Sequence, residues 1–163
     1  MVKYNVLNND LEIQGDGVYA IYPFSKFDKD GKGAFKIGIA TKGFYHRLEQ
    51  NYHTYFPMGF YYKSFLENPN RLQENKSKLA YYRGIEKYIL DNIKGEHIKS
   101  DARIIKDGQT EWIYTDQESI DKVFKKANVV YGGNLKNYKI TKSGFEKETK
   151  NKKVIFEGVI KFV

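Results

Sequence analysis

Two short apolar runs near the start of the chain, residues 17–22 and 35–39, have the composition of β-strands. Both are rich in aromatic and β-branched residues and nearly free of charge. The segment between them, 27–33, is polar and contains glycine, which is typical of a hairpin loop. The pattern predicts a β-hairpin, and a third apolar run over residues 60–66 extends it to a small sheet.

The hydrophobic period changes to that of an α-helix in three segments. The first begins at residue 44, the second covers residues 77–93, and the third follows Thr115, which forms a capping-box pattern with Glu118. Gly84 lies inside the second helix, and we expect another part of the backbone to approach closely there. The apolar stripes predicted to be buried are Phe44, Leu48 and Tyr52, then Tyr82, Ile85, Ile89 and Ile93, then Ile120, Val123, Phe124 and Ala127.

These elements predict an α/β fold, with a small, mainly antiparallel sheet of three strands flanked by helices. We assign it to one domain, residues 1–133. Residues 134–163 contain two further strand-like runs and are expected to form a β-rich extension that packs on the same domain. This extension has eight lysines against three glutamates, so it carries +5 of the net charge of +8.

The composition narrows the function classes. A chain of 163 residues with 40% hydrophobic residues suits a single globular domain. The absence of cysteine excludes disulfides, cysteine-based zinc sites and a thiol nucleophile. No apolar run is long enough to cross a membrane and no signal region is visible, so we expect an intracellular protein. The net positive charge favours nucleic acid as a partner; a solvated, lysine-rich surface is the alternative.

Three short motifs follow one another in a distinctive order. Residues 17–19 read Gly-Val-Tyr, residues 36–38 read Lys-Ile-Gly, and Arg47 lies in the first predicted helix. In order and spacing they resemble the GIY-YIG nuclease superfamily over about residues 15–127. The lysine at position 36, in place of the second motif tyrosine, is similar to the branch found in phages and large DNA viruses. The resemblance implies a metal-dependent endonuclease that hydrolyses phosphodiester bonds in DNA.

The resemblance also implies roles for three residues near the hairpin. Tyr19 would be the phenol that positions or deprotonates water, and the alternative is a core tyrosine on a strand. Lys36 would stabilise phosphate charge or act on the Tyr19 phenol, and the alternative is a lysine that faces solvent. Arg47 would bind phosphate through its planar guanidinium, and the alternative is an ordinary exposed arginine on a helix.

Glu86, on the second helix, matches the metal-binding glutamate of the superfamily and would hold Mg²⁺ or Mn²⁺. The alternative is an exposed helix glutamate that pairs weakly with Arg83 or Lys87. Glu111 is the other carboxylate worth weighing, and its position before Trp112 favours a structural hydrogen bond. Some branches place a histidine or tyrosine one turn after the helix arginine. Asn51 occupies that position here, and the nearby His53 is the candidate for the third acid–base group.

Two alternatives stay open. The lysine at position 36 cannot donate a phenolic hydrogen bond, so a catalytically inactive nucleic-acid-binding or interaction protein on the same fold is the rival function. The tyrosines at positions 61, 62, 81 and 82, with the lysines around them, indicate either an aromatic, basic surface for nucleic acid or core tyrosines with lysines that extend to solvent.

Overall fold

The computed structural model describes residues 4–5, 15–23, 27–54, 59–68, 75–98, 112–142, 144–148, 153–157 and 160–161. In chain order the elements are β1 (Tyr4–Asn5), β2 (Gly17–Tyr22), β3 (Lys32–Ala40), α1 (Phe44–Thr54), β4 (Tyr61–Glu67), α2 (Asn75–Asn92), β5 (Glu96–Ile98), β6 (Trp112–Asp116), α3 (Gln117–Tyr131), β7 (Asn134–Asn137), β8 (Lys139–Ile140), β9 (Gly144–Glu148), β10 (Lys153–Glu157) and β11 (Ile160–Lys161). Within these residues, no helix is long and apolar enough to cross a membrane.

The central sheet has six strands in the order β5-β6-β3-β2-β4-β7. Every neighbouring pair is antiparallel, which confirms the predicted α/β class with an antiparallel sheet. The sheet is twice as wide as the three strands predicted. The extra edge strands are short and polar, as in the Asn-Leu-Lys-Asn sequence of β7, so they form by pairing with a neighbour rather than through a hydrophobic pattern of their own.

The predicted hairpin of β2 and β3 is confirmed. Tyr19 pairs with Gly38 and Ile21 with Lys36 across the two strands. In the loop, the Asp28 side chain accepts backbone hydrogen bonds at 2.9 Å from both Asp30 and Lys32. This type of Asx turn fixes the loop that the polar sequence predicted.

The register of the sheet assigns each side chain to one of two faces, because neighbours along a strand point in opposite directions. Tyr19 and its partner Phe65 on β4 lie on the first face. Helix α1 packs there through Phe44, whose ring centroid is 5.4 Å from that of Tyr19 and 4.2 Å from that of Phe65. Phe44 and Leu48 are both fully buried, as predicted for their stripe, while the side chain of Tyr52 is outside the described residues.

Helices α2 and α3 pack against each other on the second face. Helix α2 contacts β2 and β3, where alternate residues such as Val18 and Ile37 are fully buried. Just after α2, the carbonyl of Lys94 accepts a hydrogen bond from Thr115, a second-face residue of β6. The predicted stripes of both helices are confirmed, since Tyr82, Ile85, Ile89, Ile93, Ile120, Val123, Phe124 and Ala127 are all buried.

Two local predictions are wrong. The N-cap of α3 is Asp116, not Thr115: the Asp116 carboxylate accepts from the backbone N–H of Ser119 at 2.7 Å, while the Thr115 hydroxyl bonds the chain that leaves α2. The Ser119 N–H is also the main reason that the pKa of Asp116 is lowered. Gly84 is exposed, and a Cβ there would meet no neighbouring atom of the described residues within 4 Å, so no close approach of the backbone in that part of the chain requires this glycine.

The last part of the chain is β-rich, and its first strand belongs to the central sheet. Strand β7 pairs with β4, and β8, β9 and β10 form a separate three-stranded antiparallel sheet. Rings from this second sheet join the main core, where Tyr138 lies edge-on to Tyr62 at 4.7 Å and Phe145 stacks on Phe156 at 5.0 Å. Strand β11 pairs in parallel with β1.

Candidate active site

Gly38, the last residue of the second motif, makes room for the Tyr19 phenol. A Cβ on Gly38 would lie 2.3 Å from the Tyr19 hydroxyl oxygen and 2.4 Å from Cζ. The phenol therefore reaches from β2 across the backbone of β3. The first and second motifs are thus two parts of one packing unit, in which a tyrosine on one strand requires a glycine on the next.

Lys36 lies on the same face as Tyr19, as its diagonal neighbour across the β2–β3 pair. Only 4% of the residue is exposed, so the alternative of a lysine that faces solvent is wrong. Tyr19 itself is fully buried, as the alternative of a core strand tyrosine requires, and its hydroxyl lies beside Gly38. The first two motifs therefore place a tyrosine and a lysine at diagonal positions on the first face.

Arg47 approaches this face from α1. It is half-buried, one residue before the buried Leu48, and its guanidinium donates to the Gln50 side chain at 3.4 Å. The alternative of a fully exposed helix arginine does not describe this position. The start of α1 is held in place by Asp16, which accepts from the Gly43 backbone at 2.7 Å.

Glu86 is half-buried on α2, and α2 packs on β3 from the second face. On the side of α2 that meets α3, Tyr81 and Tyr88 contact the ring of Tyr131. At 100° per residue, Glu86 projects roughly 150° away from that side. Helices α1 and α2 both contact β3 and lie on opposite faces of the sheet, so Arg47 and Glu86 belong to helices that flank the same strand.

The end of β3, residues 37–40, is the place where side chains from the two faces of the sheet can meet. In the described part of the chain, the ladder between β3 and β6 ends at the pair Lys36 and Trp112, so residues 37–40 extend past it. The Tyr19 phenol lies over this segment at Gly38. This segment of β3, with Tyr19, Lys36, Arg47 and Glu86 around it, is the candidate active site.

Asp16 is a positioning residue that the sequence analysis missed. One of its carboxylate oxygens accepts from Gly43 at the start of α1, and the other pairs with Lys78 of α2 at 2.8 Å. A single side chain next to the first motif thus connects the helix of Arg47 with the helix of Glu86. Its place directly before Gly17 was the only available signal.

The remaining candidates from the sequence are His53 and Glu111, and their side chains cannot be placed at the site. His53 belongs to α1, but its side chain is outside the described residues, and Glu111 lies outside them entirely. His46 is exposed and contacts the Gln50 amide at 3.2 Å. Among the described residues, no group of three or more His, Asp or Glu side chains could together hold a metal ion.

Of the two alternatives for the tyrosines at positions 61, 62, 81 and 82, core packing is confirmed for Tyr61, Tyr62 and Tyr82. Tyr61, Tyr62 and Tyr82 are buried in the core, and burial is the main reason that the pKa of Tyr82 is raised to about 12. Lys63 does not extend to solvent but is fully buried, with its ammonium group 2.6 Å from both Asp121 and the Tyr138 carbonyl oxygen. These residues connect β4, α3 and the C-terminal strands, so their role is structural.

The residues matched by a family model include the whole candidate site. The model of the T5orf172 domain matches residues 17–128, more than half of the chain, and this range begins at the first motif and includes all the candidate residues. The chain belongs to the T5orf172 domain family. This phage-associated domain is related to nuclease-like domains of the GIY-YIG and HNH types. No curated protein and no solved structure matches the chain.

Membership in the T5orf172 domain family indicates a phage-related domain that acts on nucleic acid. The match ends at residue 128, inside α3, so β7 and the strands after it lie beyond the matched range.

The excess of lysine in residues 134–163 is partly balanced by neighbouring carboxylates. Lys136 lies 3.7 Å from Glu67, and Lys153 lies 3.3 Å from Glu146.

Proposed function

We propose that the protein is a metal-dependent endonuclease that hydrolyses phosphodiester bonds in DNA. The observation that carries the proposal is the arrangement at β3, where the Tyr19 phenol lies over Gly38 with Lys36 beside it on the same face. Family membership supports a nucleic acid as the partner.

The chemistry follows from the side chains. Phosphodiester hydrolysis needs a positioned water, cations that stabilise charge on the phosphate, and help for the leaving oxygen. Tyr19 would orient the attacking water or accept its proton. Lys36 and Arg47 would bind the phosphate oxygens, and the planar guanidinium suits a bidentate contact.

We assign Glu86 as the carboxylate that holds a divalent ion. Mg²⁺ keeps several of its waters and is often bound through one or two carboxylates, so a single glutamate suits it better than it suits zinc. The described residues fit this requirement, because Glu86 offers a half-buried carboxylate on α2, a helix that contacts β3. Mg²⁺ or Mn²⁺ bound there would supply Lewis-acid stabilisation of the phosphate charge.

Substitution of Glu86 by Gln tests the proposal. Gln keeps the volume and the helix propensity but removes the charge that a hard cation requires. We expect Mg²⁺-dependent cleavage of supercoiled plasmid to be lost while the fold and DNA binding persist. The matched control is Glu118→Gln on α3, because Glu118 is an exposed glutamate that pairs with Lys122 at 3.1 Å, far along the chain from the site.

The assay compares wild type and both variants with Mg²⁺, Mn²⁺ or EDTA, and circular dichroism confirms that each variant folds. Cleavage by Glu86→Gln at the wild-type rate would remove Glu86 from the site. Equal losses in both glutamine variants would indicate a general charge effect. If wild type cleaves no DNA or RNA with any divalent metal, the endonuclease proposal fails.

A catalytically inactive nucleic-acid-binding protein on the same fold is the second candidate function. The separation of two candidate residues favours it, because Arg47 and Glu86 belong to helices that pack on opposite faces of the sheet. The presence of lysine at position 36 favours it as well. DNA binding without cleavage by wild type would select this function.

A further inference from the structure

Two half-exposed aromatic residues lie on the sheet beside the candidate site. Trp112 and Tyr114 are two residues apart on β6, so their side chains point to the same face, about 7 Å apart along the strand. Ile113 and Thr115, between and after them, are buried on the other face. The alternation is visible in the sequence, but only the register shows which face is the exposed one.

The register places both aromatic residues on the face of Tyr19. Trp112 pairs with Lys36, and Tyr114 pairs with Ala34. Along this face of β3, Lys36 is flanked by the small residues Ala34 and Gly38. We call these five residues, Ala34, Lys36, Gly38, Trp112 and Tyr114, the β3–β6 strip. In this strip, the half-exposed rings of Trp112 and Tyr114 on β6 lie beside the small residues of β3, and the buried Lys36 lies across from Trp112.

The charges differ between the two ends of the strip. At the end near Gly38 lie Lys36 and, on α1, Arg47. At the other end, the exposed Glu96 pairs with Tyr114 across β5 and β6, and Lys32 pairs in register with Asp116. The first end is therefore cationic, whereas at the second end Lys32 offsets one of the two carboxylates. A carboxylate at the second end can instead accept hydrogen bonds from the amino groups of bases.

We propose that the β3–β6 strip binds an unpaired segment of nucleic acid, with bases stacked on Trp112 and Tyr114 and a phosphate at Lys36. This inference rests on the proposed nucleic-acid function and specifies its substrate. Aromatic residues on sheet faces bind single strands by stacking, whereas the bases of a duplex already stack on one another and hide their faces. The combination of a cationic end and half-exposed aromatic rings matches a base-bearing strand rather than the evenly charged backbone of a duplex.

The single tryptophan of the chain provides a direct readout, because all indole fluorescence comes from Trp112. Wild-type protein in EDTA is titrated with three probes of equal length: a single-stranded DNA, the same strand with abasic sites, and a blunt duplex. We expect strong quenching by the single strand and little by the abasic strand or the duplex. No cleavage takes place in this measurement, so it is independent of catalysis.

A second measurement uses the labelled strands and a variant of the strip. We expect Tyr114→Ala to weaken the affinity for the base-bearing single strand by about 10-fold and to leave the affinity for the abasic strand unchanged. Tyr88→Ala is the matched control, because Tyr88 is a half-buried tyrosine of α2, in the layer on the other face. It should leave both affinities unchanged. If Tyr114→Ala does not fold, the quenching of Trp112 in the wild-type protein by the three probes is the test.

Equal quenching by the base-bearing and abasic strands would overturn the inference, as would equal quenching by the duplex. Wild type that cleaves duplex DNA without Trp112 quenching by a single strand would keep the endonuclease proposal and remove the strip. Quenching without cleavage of any substrate would support the strip and select the binding function. The two proposals can therefore fail separately.

Discussion

Two lysines are buried in the same sheet, and their surroundings differ. Lys63 on β4 is fully buried, and its ammonium group lies 2.6 Å from the Asp121 carboxylate and 2.6 Å from the Tyr138 carbonyl oxygen. These contacts join a strand, a helix and the C-terminal part of the chain. Lys36 on β3 is 4% exposed, lies between Ala34 and Gly38 on its own strand, and borders the half-exposed Trp112.

The difference shows that burial of a charge does not by itself identify a functional site. At Lys63, acidic and carbonyl oxygens from separate elements surround the ammonium group, as a structural charge requires. At Lys36, the neighbours on the strand are small, and the half-exposed Trp112 lies across from it on β6. The charge of Lys63 is held by contacts that join separate parts of the fold, whereas Lys36 lies within the candidate site.

The largest expected effect comes from removing the partner of Lys63. Asp121→Ala leaves an ammonium group buried without its carboxylate, so we expect the free energy of unfolding to fall by about 3–5 kcal/mol. Lys63→Met should cost less, because the Asp121 side chain is 29% exposed and can be hydrated. Urea unfolding of both variants checks the asymmetry. If both variants lose the same free energy of unfolding, Lys63 is not the more deeply buried member of the pair.

Lys36→Met is the corresponding change at the candidate site. We expect a loss of stability below about 1.5 kcal/mol, because methionine has a similar length and suits a buried position. Cleavage should fall about 100-fold or more, since one cation that stabilises charge on the phosphate is lost. Urea unfolding and plasmid cleavage measure the two effects. A large loss of stability with normal cleavage by the folded fraction would make Lys36 a structural lysine like Lys63.

Gly38→Ala should disturb the site through packing alone. The new methyl group would lie 2.3 Å from the hydroxyl oxygen of Tyr19, which is fully buried and has little room to move. We expect a loss of about 1–3 kcal/mol and a displaced phenol. Thermal unfolding checks the stability. Unchanged stability and cleavage would show that Tyr19 does not depend on Gly38 for its position.

The two regions also differ in how well the sequence predicted them. Short motifs and hydrophobic periods predicted the hairpin and the buried stripes of the helices, because those elements bury one regular face. The partners of Lys63 could not be predicted, since Asp121 and Tyr138 follow it by 58 and 75 positions. For the same reason, β5 and β7 were missed: their polar sequences become strands only where a neighbouring edge is available.

Stability at alkaline pH should also distinguish Lys63 from Lys36. Burial lowers the pKa of Lys63 from its ordinary value of 10.5, and the attraction of Asp121 opposes this shift. The unfolded chain therefore binds more protons than the folded chain between the lowered pKa and 10.5, so stability should rise with pH across that window. The slope for one proton is at most about 1.4 kcal/mol per pH unit. Urea unfolding across this pH range should lose that rise in Lys63→Met and keep it in Lys36→Met.

The smallest expected effect comes from replacing Gly84, a glycine that packing does not require, in contrast to Gly38. Gly84 lies on α2, two residues before Glu86, and among the residues that the structure describes no neighbour lies within 4 Å of a Cβ placed there. Alanine has a higher helix propensity than glycine, so Gly84→Ala should raise the free energy of unfolding by about 1 kcal/mol, where Gly38→Ala lowers it. Because the new methyl group points into open space, cleavage and Trp112 quenching should stay at wild-type levels. Urea unfolding together with both assays tests this. A loss of stability in Gly84→Ala would show that α2 approaches another part of the chain at this position, and a loss of cleavage alone would extend the site of Glu86 to the exposed side of its helix.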